Sequence, residues 1–118
     1  MRFLIITSLG LNIFVLMPVC LGLLNKAAWT LPAYGPETAA RGILLSVYLA
    51  ILIASAGLLF MPIPVMVAAL LLVQIIYKFS TPFTVGSFTN PVVISNLAIA
   101  AFHSITFWAI LKSGLLES

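Results

Sequence analysis

The fold class this sequence predicts is an all-α integral membrane protein: four transmembrane helices in an antiparallel bundle, with a tight hairpin between the second and third. Two observations carry that prediction. Of 118 residues, 64% are apolar and 6% charged, whereas an average soluble domain is roughly half apolar and a quarter charged. A small soluble domain has too much surface for so few polar residues to cover, so lipid must be the solvent for most of the chain. The second observation is the layout: long apolar stretches alternate with short segments that collect the prolines, charges and interfacial aromatics. No linker, repeat or low-complexity tract divides them, and 1–118 reads as a single membrane domain.

The first span is predicted over 3–24. After Arg2 it is interrupted only by small or neutral polar residues. A cleaved leader with Ala27 and Ala28 at its processing site is the rival reading, but the apolar region of a signal peptide runs only about 7 to 15 residues. Pro18 lacks an amide donor and is expected to kink the helix. Residues 25–40, NKAAWTLPAYGPETAA, form a loop at headgroup depth, where Trp29 and Tyr34 can place an apolar ring body and a polar edge together.

The second span is predicted over 41–61, and Pro62 and Pro64 then force a turn. The third, over 65–79, is short: about 15 residues reach roughly 22 Å, against a hydrocarbon core near 30 Å. A dipping turn or a thinned bilayer is the expected remedy. Lys78 marks the far end, where its ammonium can snorkel to water. Residues 80–90, STPFTVGSFTN, read as an interfacial loop. Asn90 caps and Pro91 opens the fourth span, predicted over 91–112.

The five cations, Arg2, Lys26, Arg41, Lys78 and Lys112, and the two carboxylates, Glu37 and Glu117, are scattered singly. A nucleic-acid surface needs clustered Lys and Arg, so the expected partners are membrane lipids and other membrane subunits. An even number of spans places both termini on one side. Charge counting leans to the first and third loops facing the cytoplasm, in a bacterial cytoplasmic membrane.

No carboxylate lies within a predicted span. Proton-driven exporters of similar size, the small multidrug resistance family, depend on a glutamate in their first helix, where this chain offers only Thr7, Ser8 and Asn12. Exchange of a proton for a cationic drug has no group to use, and a rotor-ring role like that of the ATP synthase c subunit fails for the same reason. Cys20 is the only cysteine, so neither an intramolecular disulfide nor a thiol redox pair can form. G-x-S-x-G, H-E-x-x-H, C-x-x-C and phosphate-cradling glycine loops are all missing. No catalytic residue and no metal site is predicted, and the chain is not expected to be an enzyme.

His103, in AFHSITFW, is the one imidazole. It can join helices by hydrogen bonds, or ligate a chlorophyll magnesium or a haem iron, the latter with a second histidine from another chain. No cofactor is the base expectation. Asn96 lies seven residues earlier, about 20° from overlap on a helix, and shares its face. Ser8 and Asn12 form a polar edge on the first span and Gln74 is the polar side chain of the third; amides of this kind commonly glue helices.

Gly42, Ser46, Ala50 and Ala54 recur at steps of four along the second span, a spacing that lets two backbones approach. That contact serves either the bundle or another subunit. Arg41 can anchor the helix at the interface, hold a lipid phosphate or a partner carboxylate, or pair with Glu37 four residues earlier. The expected function is a non-catalytic subunit or accessory or assembly factor of a larger membrane complex. A self-associating carrier or pore for a neutral or lipid-like solute, using Asn96 and His103, is the alternative, and a pigment- or haem-binding subunit the third.

Overall fold

The computed structural model describes residues 2–113, all of whose regular structure is helical. The tail expected after Lys112, with Glu117, lies outside the described residues apart from Ser113. The elements are α1 (Arg2–Leu24), α2 (Thr30–Tyr34), α3 (Ala39–Phe60), α4 (Pro64–Val85) and α5 (Pro91–Ser113). α1, α3, α4 and α5 are long and apolar enough to cross a membrane. At 22 or 23 residues each, they reach roughly 33 to 35 Å, enough for a hydrocarbon core near 30 Å.

The third span is thus longer than the expected 65–79, and no thinning of the bilayer is required. α4 continues through the hydroxyl-rich segment because those hydroxyls turn back on their own helix: Ser80 Oγ donates to the Tyr77 carbonyl at 2.7 Å and Thr81 Oγ1 to the Lys78 carbonyl at 2.6 Å. The second bond explains how Pro82 sits inside the helix. Proline cannot donate to the carbonyl four residues before it, and that carbonyl, on Lys78, is the one Thr81 satisfies. α4 stops at Gly86, whose φ of 76° is left-handed and whose amide closes on the Pro82 carbonyl at 3.1 Å. α5 opens as the sequence suggests, with Asn90 Oδ1 accepting from the Val92 amide at 2.8 Å.

The chain forms two compact units, Leu9–Phe60 and, among the described residues, 2–8 with 61–113. In the second, α4 packs along α5. The buried stripe of α4 runs Val67, Leu71, Gln74, Lys78, Pro82, and that of α5 runs Val93, Asn96, Ile99, Ala100, His103, Thr106, Ile110. Both follow steps of three and four, one face of a helix. The opening turns of α1 join this unit where Ser8 Oγ and Thr106 Oγ1 meet at 2.7 Å.

In the unit Leu9–Phe60, α1 and α3 are tied by Asn12 Nδ2, which donates to Ser55 Oγ at 3.0 Å. α1 ends by the Ala27 amide returning to the Gly22 carbonyl at 2.9 Å, with Lys26 at φ 55° in the left-handed position that glycine usually fills. Gly22 leaves room for Trp29: a Cβ there would run into the indole. Trp29 stands edge-on to Tyr34, and Tyr34 to Tyr48, with centroids 6.5 and 6.0 Å apart. Aromatic rings thereby pin the α2 loop to α3. Thr38 caps α3, its hydroxyl accepting from the Arg41 amide at 3.3 Å.

Candidate functional site

Arg41 and Glu37 are not an ion pair. Glu37 meets Lys26 instead, at 3.3 Å, with both side chains more than half exposed. Such a pair contributes little stability by itself. The Arg41 guanidinium turns back over the loop, donating to the Gly35 carbonyl at 2.9 Å and to Thr30 Oγ1 at 2.8 Å. Thr30 passes the chain on to the Ala27 carbonyl at 2.6 Å. With 8% of its surface exposed, Arg41 is a buried staple for residues 27–41. The reason for an arginine at a helix N-terminus, where the dipole disfavours a cation, is this loop of carbonyl and hydroxyl acceptors.

The stripe Gly42, Ser46, Ala50 and Ala54 faces outward along its whole length. α3 uses a different face inside the chain, that of Arg41, Tyr48, Ile51, Ser55 and Leu58. A Cβ added at Gly42 would meet nothing within 4 Å. All four are exposed among the described residues and none belongs to the buried face of α3.

Lys78 is not at the end of its helix. α4 extends seven residues further, about 10 Å, and Lys78 is 4% exposed, with its ammonium 5.8 Å from the Tyr77 ring centroid. Hydroxyls that close on their own backbone prolong α4 and draw the lysine inside. Gln74, one turn earlier, is fully buried; its Nε2 donates weakly to the Leu70 carbonyl at 3.4 Å while Oε1 finds no partner. Across from α4 on α5, His103 is also fully buried. Neither of its ring nitrogens makes a hydrogen bond of ordinary geometry. Asn96 lies on the same buried face, two turns earlier.

This arrangement restricts the chemistry. With Nδ1 and Nε2 enclosed, a magnesium or iron of a macrocycle reaches His103 only if packed side chains move aside. Ser104, the adjacent hydroxyl, donates to the Ala100 carbonyl at 2.8 Å and is not a nucleophile aligned on the imidazole. Among the described residues no group of three or more His, Cys, Asp or Glu could hold a metal ion.

Several residues that shape these sites escape a reading of the sequence. Thr38 could have been found, because a Thr three residues before the first helical turn closes is a capping signal. Ser55 and Thr106 lie in rows with other buried residues but meet partners 43 and 98 positions away, which no local pattern announces. Lys26 carries no signal at all until its φ is known. No family model matches the chain, and no curated protein or solved structure is significantly similar to it.

Proposed function

We propose that this chain is a non-catalytic integral membrane subunit or assembly factor that docks onto a larger membrane complex through the outer face of α3. The observation that carries the reading is the outward stripe of Gly42, Ser46, Ala50 and Ala54. Against lipid tails alone, bulky side chains are tolerated on an outer face, and small ones at steps of four bring no advantage. They stabilise a contact only when another helix backbone comes close, since association in lipid rests on packing rather than on the hydrophobic effect. Most buried polar side chains, by contrast, join helices or fix loops.

Extraction in a mild detergent with an affinity tag should therefore recover a defined larger complex. Replacing Ala50 and Ala54 together by Leu should release the chain from it, at least about tenfold, while the chain itself still folds. Recovery of the unaltered protein only as a monodisperse monomer would overturn the reading.

A second reading, a self-associating carrier for a neutral or lipid-like solute, draws on the unpartnered Gln74 Oε1 and His103 nitrogens. Buried polar atoms without partners are uncommon and call for a ligand, a water or a moving element. On this reading, replacing Asn96 and His103 by Ala abolishes solute flux into reconstituted vesicles. Unchanged flux disposes of it.

A further inference from the structure

At the end of the membrane unit where α1 finishes and α3 begins, a cavity of about 310 Å³ opens between Leu23, Leu24, Lys26, Glu37, Arg41 and Leu45, with Thr38 and Gly42 completing its wall. Its lining combines an ammonium, a guanidinium and a carboxylate, for one net positive charge, with three leucines. The geometry points to a site for one anionic glycerophospholipid, its phosphodiester held between Arg41 and Lys26 and its acyl chain lying along Leu24 and Leu45. The inference does not depend on the docking role of α3.

Arg41 brings preorganisation. Two of its five N–H donors are committed to Gly35 and Thr30, which fix the planar fork beside the cavity it lines. Lys26 brings a second argument from the backbone. It occupies a left-handed position, φ 55°, that glycine adopts without cost and other residues avoid. Its side chain supplies the second cation of the lining. That side chain reaches Glu37 at 3.3 Å while remaining 67% exposed, so its ammonium can serve the carboxylate and a phosphate together. Gly42 borders open space, where a Cβ would meet nothing within 4 Å.

The volume matches a headgroup and not a whole lipid, being at the small end of ligand pockets, about 300 to 1,000 Å³. One net positive charge suits a phosphodiester with a neutral alcohol beyond it. A choline headgroup would bring a second cation against Lys26.

Native mass spectrometry of the full chain in detergent tests this with dioleoyl phosphatidylglycerol, dioleoyl phosphatidylcholine and soluble glycerol phosphate as probes. One phosphatidylglycerol should be retained, about tenfold more readily than phosphatidylcholine. K26G removes a cation while relaxing the backbone, and G42L fills the cavity while improving helix propensity. Each should lower retention by about five- to tenfold, with Cys20 as protected from thiol reagents as in the unaltered protein. If K26G fails to fold, Lys26→Asn, which also tolerates the left-handed region, takes its place. Equal retention of both lipids, or variants that bind like the unaltered chain, would sink the assignment. Displacement of the lipid by an equal concentration of glycerol phosphate would reassign the site to a soluble phosphate ester.

Discussion

Replacing Arg41 by Met is expected to destabilise the unit Leu9–Phe60 by about 3 kcal/mol, since hydrogen bonds from a charged donor are each worth about 1.5 to 3. The side chain is buried and makes two of them, to Gly35 and Thr30. Methionine preserves most of the stem's contacts but strands both acceptors. Arg41→Lys is expected to fall close to Arg41→Met, because an ammonium cannot reproduce the fork that spans two acceptors. Cys20 provides the measurement. It is buried and is the only thiol, so its reaction with a fluorogenic maleimide during heating in detergent reports opening of its own unit. A midpoint unchanged in both variants would show that the aromatic contacts among Trp29, Tyr34 and Tyr48 hold the loop without the guanidinium.

Lys78→Met is expected to act in the opposite direction. An ammonium almost wholly enclosed in a membrane helix is costly, by about 2.5 to 3.5 kcal/mol at a helix centre, and no carboxylate lies in any described span to offset it. The ring of Tyr77, 5.8 Å away, returns only part of that, about 1 kcal/mol. Methionine fills the same volume without the charge, and a gain of about 2 kcal/mol is expected. The fraction of protein that stays monodisperse after heating reads it directly. A lower midpoint would mean that the ammonium holds an acceptor that stabilises it. If the chain carries a solute past Gln74 and His103, the same variant should be more stable and yet slower in flux, a combination that a merely structural lysine would not produce.

The membrane class and the existence of four spans were readable from the sequence, and so were Asn90 as a cap and Pro62, Pro64 and Pro91 at helix boundaries, whereas Pro82, expected in a loop, sits inside α4. All are local or compositional. Hydrocarbon demands an apolar segment of sufficient length, and a helix satisfies its backbone groups within itself, so each span announces itself without reference to the others. The extent of α4, the buried face of α3, the partners of Arg41 and the enclosure of Lys78 were decided by tertiary structure. In water a helix shows its core face by contrast with a polar one; here lipid is as apolar as the interior, the contrast vanishes, and hydropathy cannot say whether Gly42, Ser46, Ala50 and Ala54 look in or out. Only the contacts settle it. Thr81 closing on the Lys78 carbonyl, and Ser8 meeting Thr106 across 98 positions, are facts of three-dimensional proximity that no periodicity encodes.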